Sequence, residues 1–368
     1  MAKLLRLTIA LAILGAMAAG IVRAAPDQDF LVFYQEDAGR KTVYLSPENS
    51  ADLQTVASGT KLDVFLLPRH LVYYTGHRLY EYSLDQRKVK PLAQLDAAET
   101  LYQVLAYDSE GPDQAFVITS DEFGTIHQYV MEFSDGSLRR IDGPESNLGS
   151  GLSATGTEPQ VLSPDGAAAI RIHQVPFSSR LEIRLVPMKS GSTLKKWTLT
   201  SQWTTLPQFP IWSPDSKYFA FYARHSNQST GFYDLYLFNL ESARMELVQS
   251  QVFTRLPFED RVMGEFTPSW SPDSRYLIFE YQPYGLPTES SILRYEAGSG
   301  KRFTITGGLG QRRTPVWSPS GRKLFFIMDA AGTGPQVHWI NADGTGERRV
   351  SPSGGTTVWA EWYQPNRG

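Results

Sequence analysis

The side chains able to do chemistry are spread along this chain rather than clustered. Its six histidines are His70, His77, His127, His173, His225 and His338. None forms an H-E-x-x-H pair, so the sequence offers no helical zinc site, and scattered surface or strand histidines are the simpler reading. Cysteine is absent, which excludes a thiolate metal site, a disulfide framework and a Cys nucleophile. No G-x-S-x-G elbow is present, and the run Gly149-Ser-Gly-Leu-Ser-Ala-Thr-Gly156 lacks its spacing. No phosphate-cradling G-x-x-x-x-G-K-[ST] segment occurs either. Asp165, Asp215 and Asp273 recur in one motif and invite a reading as a ring of acids. A fourth copy has Ser320 at that place, and an aspartate in a turn already has a local role. A glycosidase pair of carboxylates about 5–10 Å apart cannot be placed from sequence. No catalytic residue, metal site or cofactor is therefore assigned.

What remains is recognition. Trp203, Phe258, Arg261, Glu265, Arg312 and Arg313 are of the types that anchor interfaces. They fall on three segments read as loops, 201–209, 254–267 and 307–314, each joining one repeat to the next. A rigid scaffold that holds such loops leaves their side chains free to bind.

The scaffold is legible as an internal repeat. Leu162-Ser-Pro-Asp-Gly166, Trp212-Ser-Pro-Asp-Ser216, Trp270-Ser-Pro-Asp-Ser274 and Trp317-Ser-Pro-Ser-Gly321 share one pattern, and Trp362-Tyr-Gln-Pro365 is a degenerate fifth copy. In the three Trp-Ser-Pro copies Pro210, Pro268 and Pro315 stand two residues before the Trp. There a Lys or Arg and a strand-like run follow: Lys217-YFAFY, Arg275-YLIFE and Arg322-KLFFI. Ser-Pro-Asp-Gly is a turn sequence in which Pro fixes φ and Asp bonds its own backbone. The Trp is a plate for packing on a neighbouring sheet. Self-similarity at roughly 40–50 residues with short strands is the mark of a β-propeller.

These P-x-W-S-P-D-[GS]-[RK] repeats resemble the WD40-like β-propeller repeats of the TolB-like family of exported bacterial proteins. Asn341-Ala-Asp-Gly-Thr-Gly-Glu-Arg-Arg349 resembles that family's turn between the two outer strands of a blade. The motifs cover residues 155 to 363. The resemblance implies an all-β propeller without the α/β domain that precedes it in TolB, filling residues 25–368 as one domain. Units are expected to begin near 155, 206, 264 and 312. Two more four-strand units precede them, at 101–143 and 62–95, and three strands begin at Phe30. The strand at 357–363 would complete that first unit, giving seven blades, with six or eight as alternatives. The Gly/Ser-rich stretch 147–156 reads as a loop between blades.

Composition fits this and narrows function. The chain is 41% hydrophobic and 20% charged, with 8 Trp, 18 Tyr and 19 Phe, as a folded β protein requires. A net charge of −3 argues against a general nucleic-acid binder. Lys3 and Arg6 precede the apolar run Leu7–Val22, and Val22-Arg23-Ala24 suits cleavage after Ala24, so residues 1–24 read as a secretory signal peptide. An uncleaved anchor is the alternative, but the run is shorter than the ~20 residues a spanning helix needs. Removing Lys3, Arg6 and Arg23 leaves 32 basic against 38 acidic side chains. The expectation is a periplasmic or secreted monomer, not stably inserted in a membrane, binding an envelope or extracellular protein or peptide without catalysis. The competing expectation is a channel-site polysaccharide lyase or glycoside hydrolase.

Overall fold

The computed structural model describes residues 29–50, 52–67, 69–84, 86–106, 113–123, 125–141, 160–174, 181–187, 196–199, 208–223, 232–253, 267–283, 286, 288–330 and 332–364. The signal segment expected over 1–24, the stretch 147–156, His225, and the loop residues Trp203, Phe258, Arg261 and Glu265 lie outside the described residues. Among the described residues there is no helix, and every strand belongs to one of seven four-stranded antiparallel sheets. These are propeller blades, each a meander of consecutive strands with one exception.

By contact the chain divides into two compact units. The first spans Asp63–Ile141 and holds two sheets. One is β4 (Asp63–Leu67), β5 (His70–Thr75), β6 (Arg78–Ser83) and β7 (Lys88–Gln94). The other is β8 (Thr100–Ala106), β9 (Gln114–Ser120), β10 (Ile126–Glu132) and β11 (Leu138–Arg140). Alternation along β9, with Ala115, Val117 and Thr119 buried, sends one face into a core with Val72, Leu79, Val104 and Met131.

The second unit spans Asp29–Leu62 and Asp142–Tyr363 and holds five sheets. Its first three strands are β1 (Phe30–Asp37), β2 (Arg40–Pro47) and β3 (Gln54–Gly59). Next come β12 (Gln160–Leu162), β13 (Ala168–Gln174), β14 (Leu181–Pro187) and β15 (Lys196–Leu199). A third sheet holds β16 (Gln208–Trp212), β17 (Tyr218–Ala223), β18 (Tyr233–Asn239) and β19 (Arg244–Phe253). A fourth holds β20 (Ser269–Trp270), β21 (Tyr276–Tyr281), β22 (Glu289–Glu296) and β23 (Arg302–Leu309). The last runs through β24 (Gln311–Trp317), β25 (Lys323–Ala330), β26 (Gly334–Asn341) and β27 (Arg348–Arg349). The exception to the meander is β28 (Thr356–Tyr363), which pairs with β1 from Phe30↔Tyr363 to Glu36↔Thr356. The C-terminal strand thus completes the N-terminal sheet, as the repeat count requires, and covers an edge of β1 that would otherwise be open.

The repeated turns show why the motif recurs. In each, a buried serine (Ser163, Ser213, Ser271 or Ser318) accepts at Oγ the backbone N–H five residues on, at 2.8–3.0 Å. In three of them the serine hydroxyl donates to the aspartate two residues later, at 2.5–2.6 Å. That carboxylate also accepts the N–H of Ala167, Lys217 or Arg275. Asp165, Asp215 and Asp273 are therefore turn residues, and no metal-binding group of three or more His, Asp or Glu occurs among the described residues. The Trp plates reach the preceding sheet: Trp270 packs with Ala220 and Tyr222, and Trp317 with Ile278 and Ile292. Stacking of Tyr276 on Trp317, centroids 6.4 Å apart, extends this contact.

Candidate functional site

Each meander has two ends. One carries the turn between the first two strands, a Ser-Pro-Asp or Ser-Pro-Ser turn in four of the sheets; the other carries the connection from each outer strand to the next inner strand. In the second unit, the connection from β23 to β24 was expected as a loop over 307–314 presenting Arg312 and Arg313. The structure corrects this. β23 continues through Leu309 and β24 begins at Gln311, so only Gly310 separates them and both arginines lie in strand. Gly310 sits at φ +92°, where a Cβ would meet Met328 Cε at 3.0 Å, so the crossing admits no larger residue without displacement.

Arg312 is 6% exposed and faces inward. Its Nη1 donates to the carbonyls of Ser290, Gly308, Leu309 and Gly310 at 3.1–3.3 Å. Its Nε donates to Thr306 Oγ1 at 3.2 Å, and Thr306 in turn donates to Glu347 Oε2 at 2.5 Å. Glu347 is held below the usual carboxylate range, chiefly by the imidazole of His338 at 3.6 Å, while partial burial opposes the shift. Arg313 pairs with Asp329 at 3.7 Å. The two arginines thus differ: one organises the crossing from within, the other belongs to an ion pair on β24 and β25.

The same end of the third sheet holds a buried carboxylate. Asp234 accepts the backbone N–H of Gln251 at 2.7 Å and the hydroxyl of Tyr236 at 3.3 Å. Gln251 has φ +53°, a conformation that aims its N–H at the acid.

In the first unit, sequence reasoning passed over a polar constellation at the connection end of the β8–β11 sheet. Buried Glu99 accepts Thr119 Oγ1 at 2.6 Å and Tyr129 OH at 2.7 Å. Asp121 Oδ1 accepts the N–H groups of Phe123 and Thr125, which fixes the β9–β10 connection. These bonds lower the Asp121 carboxyl, with the Thr125 backbone bond contributing most. His127 lies 3.3 Å from Asp121 Oδ2 and 2.8 Å from Arg140 Nη2. Because the guanidinium can only donate, His127 Nδ1 is the acceptor and its Nε2–H points at Asp121. The signal was present: Asp121 followed by Gly124-Thr125 is an Asx-turn sequence, and His127 lies six residues after that acid.

Large apolar side chains stand in water at the connection ends of sheets in each unit taken by itself. In the first unit Phe123 is 85% exposed and Tyr102 72%, with Ile126 also exposed in that sheet; in the second Leu309 is 74% exposed, with Leu286 also exposed in its sheet. The histidines outside this end are also paired: His70 with Glu81 at 2.6 Å and His338 with Glu347 at 3.6 Å.

No protein-family model matches the chain. Among solved structures, it is similar to a eukaryotic initiation factor at 11% identity, covering 93% of this chain and 99% of that one, with a TM-score of 0.56. It is also similar to a puromycin hydrolase at 12% identity and a TM-score of 0.50, covering 91% of this chain but 55% of that one. A putative TolB from Agrobacterium tumefaciens aligns over 90% of this chain and 91% of its own, at 17% identity and a TM-score of 0.40. Likeness at these identities defines a class, the β-propeller fold, and assigns no activity. TolB structures stand among the solved propellers that this chain resembles.

Proposed function

We propose that the protein is an exported, non-catalytic scaffold that binds a protein or peptide partner of the cell envelope through the connection ends of its sheets. One observation carries the reading. Exposed Phe123, Tyr102 and Leu309 sit at those ends, on sheets whose local polar groups are held by internal hydrogen bonds. Large apolar groups fixed in water on a rigid frame support binding, because their burial against a partner is favourable and little conformational freedom remains to be lost. Among the described residues, no helix is long and apolar enough to cross a membrane.

Affinity capture from envelope extract tests the reading, using the mature protein beside Phe123→Ser and Leu309→Ser variants that melt normally. The expected result is a partner retained by the unaltered protein and lost with one of the variants. Equal retention by all three, or no retained protein, overturns it. Turnover of an acidic polysaccharide by the purified protein would favour the channel-site enzyme instead. N-terminal sequencing of the mature protein is expected to begin at Ala25, and an intact Met1 in membranes would restore the anchor.

A further inference from the structure

Arg312 is the only buried lysine or arginine among the residues whose side chains the structure describes. Three of the buried acids have clear donors: Glu48 receives Ser320, Glu99 receives Thr119 and Tyr129, and Asp234 receives Gln251 and Tyr236. Arg312 has only neutral acceptors. Two Nη1 hydrogens are shared among four carbonyls at 3.1–3.3 Å, longer than the ~2.7–2.9 Å of a charge-assisted bond to a carboxylate. Nη2 has no partner among the described residues, and no carboxylate there lies within ion-pair distance. The acid that feels its charge, Glu347, is reached through Thr306 and is also engaged by His338.

Holding carbonyls does not need a charge. A neutral amide would tether Gly308–Gly310 without the desolvation penalty of an unpaired buried guanidinium. What a guanidinium adds is forked recognition of a carboxylate. Exposed Leu309 adjoins the crossing, and exposed Leu286, in the β21–β22 connection, offers a second apolar group at the same end of that sheet.

We propose that Arg312 is the recognition point for a carboxylate in a peptide partner, an acidic group adjoining an apolar side chain that rests on Leu309 and Leu286. This rests on the scaffold reading above and names the chemistry of its partner. The carboxylate belongs either to a Glu or Asp side chain or to a chain terminus, and separate probes distinguish the two.

The test follows the Arg312 Nε–H and the Gly308 and Gly310 amides by ¹⁵N–¹H spectroscopy on the whole mature protein. The probes are N-acetyl-leucyl-glutamate amide, N-acetyl-glycyl-leucine with a free carboxyl, the neutral N-acetyl-leucyl-glutamine amide, and inorganic phosphate. The expected result is saturable shifts in the millimolar range with at least one acidic peptide, and about 10-fold weaker response to the neutral one. Leu309→Ser is expected to weaken the acidic peptide while leaving the remaining spectrum in place. Arg312→Lys is expected to weaken it about 10-fold or more, since an ammonium lacks the fork. Should that variant unfold, the acid-against-neutral comparison on the unaltered protein still decides. Equal response to acidic and neutral peptides, silence towards both acids, or phosphate matching the peptides overturns the proposal. Silent acidic peptides beside a partner whose capture depends on Phe123 would remove this inference and leave the scaffold reading. Acid binding without any captured partner would do the reverse.

Discussion

Ser320 donates its hydroxyl to the carboxylate of Glu48, a residue 272 positions earlier in the chain. Ser320 occupies the place where the other three turns carry aspartate, so the turn without its own acid receives one from the β2–β3 connection. Glu48 is 3% exposed, and its backbone carbonyl accepts Lys323 Nζ from the strand after that turn. Burial pushes the Lys323 ammonium down while Glu48 acts in the opposite sense. The substitution in the motif and the closure of the first sheet by β28 therefore meet at one place in the fold.

Replacing Glu48 with Ala is expected to lower unfolding free energy by about 1–3 kcal/mol, since the Ser320 hydroxyl loses its charged acceptor and Lys323, still bonded to the backbone carbonyl of residue 48, loses the carboxylate beside it. Ser320→Asp alone would set two carboxylates against each other and is expected to destabilise as well. The two changes together should recover part of the loss, because the turn regains a local acid. Urea unfolding of the four proteins measures the coupling, and additivity within about 0.5 kcal/mol would show that Glu48 does not stand in for the missing aspartate.

A second relationship links neighbouring turns. Ser216 and Ser274 hold φ near +60°, where glycine stands in the first and fourth copies. Their hydroxyls accept the N–H of Asp165 at 3.3 Å and of Asp215 at 2.9 Å, each in the turn before. Serine is tolerated in a left-handed conformation because it joins two sheets. Ser274→Ala keeps the backbone strain of roughly 1–2 kcal/mol and loses the bond, whereas Ser274→Gly loses the bond but relieves the strain. The alanine variant should melt below the glycine variant. The opposite order would show that the hydroxyl contributes little.

Much of this architecture was readable because turn chemistry is local. Ser-Pro-Asp-Gly dictates its own hydrogen bonds, and the alternation after it dictates a strand, so the four motif-bearing sheets follow from spacing. The first three units lack the turn, so spacing alone leaves six or eight blades open beside the seven sheets and the β1–β28 pairing that are seen. The role of Glu48 was not readable, since nothing in residues 46–50 announces a partner near residue 320. Arg312 was singled out for its type, but its burial could not be foreseen, because a Gly-Gly-Leu-Gly run reads as a loop and here continues a strand. The Glu99–Thr119–Tyr129 group escaped notice because its members are 20 and 30 residues apart and meet only through strand register.

Removing β28 should be far more damaging than its length implies. Trp359 stacks on Tyr34 at 5.9 Å, Trp362 lies 5.9 Å from Phe325, and the strand forms one full side of β1. Deleting residues 356–368 exposes that edge together with buried Leu31 and Phe33, and is expected to cost several kcal/mol, a large share of a typical domain's stability. Calorimetric melting of the truncated protein checks this, and a near-native transition would show that closure contributes little.

Tyr129 gives a prediction in pH. Burial raises its hydroxyl most, the hydrogen bond to Glu99 and that acid's charge add to the effect, and Arg140 opposes it, leaving the group at about 12 against an ordinary 10.0. An acid whose folded value lies above its unfolded value stays neutral longer in the native state. Its contribution to stability is complete below pH 10.0 and is lost as pH rises towards about 12. Tyr73 is raised to about 12 as well, so the alkaline loss in the unaltered protein has more than one source. The comparison with Tyr129→Phe isolates this one. At pH 7 the variant is expected to be less stable by about 1 kcal/mol, since Glu99 Oε1 loses its donor while Thr119 still serves Oε2. Between pH 10 and 12 the gap should close, because the unaltered protein gives up its Tyr129 contribution and the variant has none to lose. Urea midpoints at pH 7, 10 and 11.5 for the two proteins measure it, and parallel curves over that range would place the Tyr129 proton outside the folding equilibrium.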